Sequence, residues 1–205
     1  MQDGSHAAVL ESHWEGGVSP FAASWQKTMM WIFIVTDGLL FSGLLSGYGF
    51  LRMSRPGAWP VRSEVFHIWF IALMTFILIT SSMFMGTAVT AARLGDRKKA
   101  LSNLIFTIVG GLCFLGCQAY EWTNLIREGY GLVSNPTGVP QFGASFFVLT
   151  GFHGSHVLSG LVILTITAIR WAMDKTPAQN VEMAGLYWHF VDLVWVFIFT
   201  LFYLL

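Results

Sequence analysis

The chain has 205 residues, of which 55% are hydrophobic, 16% aromatic and only 11% charged. A soluble domain carries about a quarter of its residues charged, so this composition calls for lipid and excludes an ordinary soluble enzyme. Lys plus Arg and Asp plus Glu each number 11, which leaves no positive surplus to neutralise nucleic-acid phosphates and excludes DNA or RNA as partners. The two cysteines, Cys113 and Cys117, sit four apart in an apolar stretch. They form neither a disulfide framework nor a thiolate metal cage and read as small packing residues on one helix face.

Residues 1–24 form a polar tail with Asp3, Glu11 and Glu15. It lacks a basic start followed by a short apolar core, so no cleaved signal peptide is expected, and Trp14, Phe21 and Trp25 are placed at the membrane interface. Five apolar runs follow, at residues 28–51, 66–92, 101–125, 142–171 and 183–205. Each is long enough, at about 1.5 Å per residue, to cross a hydrocarbon core of about 30 Å. The fold class is therefore all-α, a bundle of five transmembrane helices over residues 25–205. The first connection, from Arg52 to Arg62, holds two prolines and a glycine that break helix. Leu94 to Lys99 makes the second. The third, Arg127 to Gln141, carries Gly129, Gly131, Pro136, Gly138 and Pro140 and is expected to be the longest internal loop and a contact surface. Asp174 to Glu182 is the last. Lys27, Arg93, Arg97, Lys98, Lys99, Arg170 and Lys175 fall on the side of the N-terminus, against Arg52, Arg55, Arg62 and Arg127 on the other. The positive-inside rule then puts the N-terminus in the cytoplasm and the C-terminus outside.

Charge near the bilayer centre costs several kcal/mol unless it is paired or hydrated, so the ionisable groups inside the runs carry the most information. These are Asp37, Glu121, His153, His156, His189 and Asp192. Gln118 with Glu121, His153 with His156, and His189 with Asp192 are each spaced i, i+3 and share a helix face. The rise per residue sorts them by depth. An inner layer pairs Asp37 with His189 or Asp192, and an outer layer pairs Glu121 with His153 or His156. Such layers could relay protons or simply bind helices together through hydrogen bonds, and the residues alone favour the second. His153 and His156 lie on one helix with Gly154 between them, a pattern of tight packing more than of haem or copper ligation. No metal or cofactor site is expected in this chain, and no phosphate loop, nucleophile elbow or zinc-protease motif is present. Gly110-Gly111 marks a close helix contact.

Two segments carry a family resemblance. Ala144-Ser-Phe-Phe-Val-Leu-Thr-Gly-Phe-His-Gly-Ser-His-Val-Leu-Ser-Gly160 and Tyr187-Trp-His-Phe-Val-Asp-Leu-Val-Trp-Val-Phe197 resemble the two terminal helices of haem-copper oxidase subunit III, the cytochrome oxidase subunit III family. Gln118-Ala-Tyr-Glu-Trp122 is similar to the family's Q-x-x-E-[WY], and Thr80-Ser81-Ser82 to its serine-rich turn, with Met74-Thr75 where an asparagine-threonine pair is usual. Where members commonly carry a buried glutamate in the first of these five helices, Thr36-Asp37-Gly38 supplies an aspartate, one methylene shorter. The chain is similar to the five-helix bacterial type, lacking the two extra N-terminal helices of the seven-helix form.

The resemblance implies an accessory subunit of a bacterial terminal oxidase in the plasma (inner) membrane, part of a proton-translocating cytochrome-c oxidase only as a member of the complex. Haem and copper are then expected in partner subunits I and II, and a bound phospholipid in a cleft between the first two helices and the last. A larger respiratory supercomplex is a further partner the resemblance allows. Asp37, His189 and Asp192 become the proton-uptake and lipid-cleft candidates. Gln118, Glu121, His153 and His156 become the structural polar layer. Subunit III of a quinol oxidase, or a homologue accompanying nitric oxide reductase, stays open as an alternative. A small transporter or channel is the rival from another class, disfavoured by the absence of an inverted repeat or broken helix pair.

Overall fold

The computed structural model describes residues 24–54, 59–60, 65–133, 135–136 and 138–204. The tail with Trp14 and Phe21, and Arg55 and Arg62 of the first connection, lie outside the described residues. Among the described residues five helices are long and apolar enough to cross a membrane, and there is no strand. They are α1 (Trp25–Met53), α2 (Ile68–Arg93), α3 (Arg97–Arg127), α4 (Pro140–Ala172) and α5 (Ala178–Ile198), the last continued by a π-helical turn over Phe199–Leu204.

The helices overrun the apolar runs because their ends are capped. Ser24 accepts a hydrogen bond from the Lys27 amide at the start of α1, and Asp96 accepts one from the Lys99 amide at 3.1 Å at the start of α3. Pro140 opens α4, where its missing N–H costs nothing. Gly95, at φ 78°, turns the chain out of α2 in the left-handed region that a side chain disfavours.

The connection between α1 and α2, residues 54–67, proves longer than that between α3 and α4, residues 128–139. The sequence reading reversed this order because Pro140 starts α4 earlier than its apolar run, whereas α2 begins only at Ile68. The 128–139 loop also folds back on the bundle. A Cβ on Gly143 would lie 2.4 Å from the Gly131 carbonyl oxygen, and the Tyr130 ring packs edge-on to Phe142. Leu132 and Val133 remain exposed at its tip.

Ion pairs gather five helix ends on one face. Glu182, at the start of α5, holds Lys27 of α1 at 2.6 Å and Arg93 at the end of α2 at 2.9 Å. Arg97 at the start of α3 pairs with Asp174 just past α4 and lies 5.0 Å over the Trp171 ring. The helices thus run alternately up and down, with the starts of α1, α3 and α5 together.

Packing is closest between α2 and α3. A Cβ on Gly110 would stand 2.7 Å from Ser81 Cβ, and one on Gly111 would stand 2.5 Å from Trp188 of α5. The glycine pair is the close helix contact its sequence implied. Helices α2 to α5 form the body, and α1 leans on α4 and α5 with only Asp37, Phe41 and Tyr48 buried. Among the described residues Glu182 joins the start of α1 to the end of α2, and both helices pack on α5. Cys113 points outward and Cys117 is half-buried against the core, and both are free thiols.

Candidate functional site

Lipid-depth polar groups of α1, α4 and α5 make the first cluster. Asp37 is buried, and its Oδ2 lies 3.3 Å from His156 Nε2. Phe41 and Phe152 wall this contact, their rings 5.3 and 4.6 Å from the imidazole. The other ring nitrogen, Nδ1, is 2.8 Å from the Phe152 carbonyl. A carbonyl oxygen only accepts, so Nδ1 carries a proton. A neutral ring in that tautomer would turn the bare Nε2 lone pair toward a carboxylate oxygen, and two lone pairs repel. The two groups stand at ion-pair distance without hydrogen-bond geometry, and Asp37 Oδ2 has no hydrogen-bond partner among the described residues.

The expected inner pairing of Asp37 with His189 or Asp192 does not form. Phe190 faces α1, 3.7 Å from where a Gly38 Cβ would be. That orientation of α5 turns residues 189 and 192 toward α2 instead. There Ser82 Oγ meets His189 Nδ1 at 2.6 Å, and Asp192 Oδ1 has no hydrogen-bond partner among the described residues.

The expected outer pairing of Glu121 with His153 or His156 does not form either. Glu121 Oε2 accepts a hydrogen bond from the Tyr203 hydroxyl at 3.2 Å, and Oε1 has no partner. Tyr203 reaches inward from the π-helical turn, where the wider i to i+5 spacing re-aims side chains. His153 is fully buried and neither ring nitrogen has a hydrogen bond. It lies between Phe114, edge-on at 5.8 Å, and Trp195 at 5.1 Å. Gln118 donates to the Thr150 carbonyl at 2.6 Å and fills the space beside Gly154, where a Cβ would be 3.0 Å from its amide nitrogen. Trp122 donates to the Thr150 hydroxyl at 3.1 Å, so Gln118 and Trp122 together fasten α3 to α4.

Sequence reasoning missed Tyr203 altogether, since nothing local distinguishes it from the other C-terminal aromatics. It gave no role to three hydroxyls of α2 that face α5. Thr75 accepts from the Trp195 indole at 3.0 Å, Ser81 from the Trp188 indole at 3.2 Å, and Ser82 meets His189. The signal was available in the match of two tryptophans and a histidine on one helix with hydroxyls on another.

Two cavities adjoin these groups. A groove of about 480 Å³ runs between α1 and α5, lined by Gly38, Phe41, Leu45, Phe190, Val194 and Phe197 among others. Its walls are almost wholly apolar, the chemistry of an acyl chain. A second cavity, about 380 Å³, lies between α2 and α3 beside Glu121, with His67 and Arg127 at its wall. Among the described residues no group of three His, Cys, Asp or Glu side chains is arranged to hold a metal ion.

Comparison with known proteins agrees with this architecture. The family model for cytochrome c oxidase subunit III matches residues 5–205, which takes in most of the N-terminal segment as well as all five helices. A protein of Staphylococcus aureus (strain USA300) described as "Probable quinol oxidase subunit 3" is 36% identical over 182 residues, covering 87% of this chain and 88% of that protein. The protein of the same description from Staphylococcus saprophyticus is 33% identical over the same coverage. The five spanning helices, the buried polar pairs between them and this match along nearly the whole length place the chain in one family: it belongs to the cytochrome c oxidase subunit III family, as a subunit III of a haem-copper oxidase complex.

Proposed function

We propose that this subunit supports proton delivery to the oxygen-reducing subunit of a bacterial terminal oxidase and prolongs its working life. Haem and copper reside in partner subunits I and II, and this chain holds no redox centre of its own. The observation that carries the reading is the buried Asp37–His156 contact, an acid 3.3 Å from an imidazole at lipid depth. Carboxylates and histidines placed together inside membrane helices are the side chains proton relays use. The N-terminal face, rich in Lys and Arg, lies in the cytoplasm under the positive-inside rule. Asp37 is about 18 Å from the first residue of α1, at 1.5 Å per residue. A phospholipid in the α1–α5 groove would seal the flank of this site with an acyl chain.

The test uses the intact complex. Asp37→Ala leaves the haem spectrum unchanged and reduces several-fold the number of turnovers before inactivation, while Asp37→Glu keeps most of the lifetime. His156→Leu has the same effect, and the double variant is no worse than either single one, because both remove the same proton site. An unchanged lifetime in Asp37→Ala would overturn the reading.

The electron donor follows the relatives. Both staphylococcal proteins are described as quinol oxidase subunits, and we infer a quinol oxidase here as well. A subunit II lacking the cysteine pair that holds copper, with turnover on quinol and none on cytochrome c, is the expected finding. Oxidation of cytochrome c by the purified complex would overturn it.

A further inference from the structure

We propose that the α2–α5 face centred on His189, Ser82 and Gly86 docks a transmembrane helix of another oxidase subunit that presents a hydrogen-bonding side chain at mid-bilayer depth. The inference rests on membership of an oxidase complex and goes beyond it by assigning the surface and the chemistry of the partner. His189 is exposed and Asp192 half-exposed, although both lie on a helix that is otherwise lipid-compatible. At 1.5 Å per residue, His189 stands about 17 Å from the start of α5 and about 23 Å from Leu204. Ser82 is about 21 Å from the start of α2 and about 17 Å from its end. The patch therefore sits near the centre of a hydrocarbon core about 30 Å thick, far from any headgroup.

The protein satisfies only part of this patch. Ser82 Oγ meets His189 Nδ1 at 2.6 Å, and Asp192 Oδ1 has no hydrogen-bond partner among the described residues. His189 Nε2 is left over. Whichever tautomer the ring takes, that nitrogen presents either an N–H or a lone pair with no partner among the described residues, and an unmatched polar group in hydrocarbon costs several kcal/mol. A lipid acyl chain has nothing to offer it. The approach is open, because Gly86 lies beneath Nε2, which is 4.0 Å from where a Gly86 Cβ would be. On the same wall Met83 and Ile79 are exposed and supply an apolar border. A bare glycine beside a free imidazole nitrogen, framed by apolar side chains, fits a helix whose Ser, Thr, Asn, Gln or carboxyl side chain reaches the ring. Such polar contacts between membrane helices contribute about 0.6 to 2 kcal/mol each. The apolar groove lies on the adjacent, α1-facing side of α5 and reaches Leu193, one turn from His189.

The test places the photo-reactive residue p-benzoylphenylalanine at Met83 in the full complex, with irradiation and mass spectrometry of the product. The expected product joins Met83 to a transmembrane segment of another oxidase subunit, within one helical turn of a polar side chain. A product with phospholipid alone would overturn the proposal. In parallel, His189→Leu and Gly86→Ile each lower by at least threefold the fraction of this subunit that stays with the haem-containing subunits in mild detergent, and His189→Gln retains it. Full retention of His189→Leu and Gly86→Ile would equally overturn it. Failure of the unaltered chain to co-purify with haem would instead overturn the accessory-subunit reading above.

Discussion

Glu121 shows how a single side chain is kept in a membrane helix. Of its two oxygens, Oε2 accepts from Tyr203 and Oε1 has no partner. Around them Phe66, Phe146 and Phe202 pack against the Tyr203 ring at 4.8 to 6.3 Å between centroids. Removing the one donor leaves a buried carboxyl with none, a change that costs about 1–3 kcal/mol. Tyr203→Phe should therefore lower the thermal midpoint of the purified subunit, read by tryptophan fluorescence. In a Glu121→Met background the same substitution should cost much less, because the stranded partner is gone. Equal costs in the two backgrounds would show that the hydroxyl matters for some other contact. Glu121 was legible in the sequence as a residue needing a partner, and the partner was not. The tyrosine is 82 positions away and reaches inward from a turn whose π geometry has no sequence signature.

At the level of elements, spacing and composition reveal which residues share a helix face but not the rotation of one helix against the next. All five spans, the i, i+3 polar pairs and the Gly110-Gly111 contact could be read directly. The pairing of the layers could not, because it depends on which stripe of α5 meets α1. Phe190 and Val194 form that stripe, so His189 and Asp192 turn to α2, and Asp37 meets α4 instead. The rise per residue ranks His156 farther than Asp37 from the N-terminal face, and the two side chains nevertheless meet at 3.3 Å. Glycine contacts are more local and hence more predictable. A Cβ on Gly111 would meet Trp188 atoms at 2.5 and 3.0 Å and Leu161 at 2.8 Å, whereas one on Gly116 of the same helix would meet nothing within 4 Å. Trp188 is fully buried and tied to Ser81, so it cannot swing away. Gly111→Ala should destabilise the bundle by about 1–3 kcal/mol, the usual range for overpacking a tight core. Gly116→Ala should be neutral or slightly stabilising, through helix propensity. The two midpoints measured side by side in detergent check the argument, and equal shifts would mean that α3 does not approach α5 this closely.

For the whole molecule, the weakest attachment is that of α1. Its side chains Trp31, Phe33, Leu39, Leu40 and Phe50 face outward, and few of its residues are buried. Tyr48 stacks on Phe202 at 4.6 Å near one end, the Asp37–His156 contact fixes the middle, and Lys27 is anchored to Glu182 at the other end. Glu182 is the shared element of that anchor, since it also holds Arg93 of α2, and its side chain is only 18% exposed. Ion pairs at a wet boundary contribute about 0–1 kcal/mol each, so Glu182→Gln should barely move the global midpoint. It should instead free the start of α1 from α2 and loosen it from α5, leaving the Ser24–Gln179 and Gln26–Gln179 contacts to hold it. Local opening follows the local contacts, not the global stability. Trypsin should then cleave after Lys27 several-fold faster in Glu182→Gln than in the unaltered subunit, with no change in cleavage at Lys98, which lies on α3. Raising the salt concentration should speed cleavage of the unaltered subunit toward the rate of the variant, because partly exposed charges are screened within about 10 Å at 0.1 M. Equal rates at Lys27 in both proteins would show that α1 is held by its apolar contacts alone and that the charged clamp adds nothing to its docking.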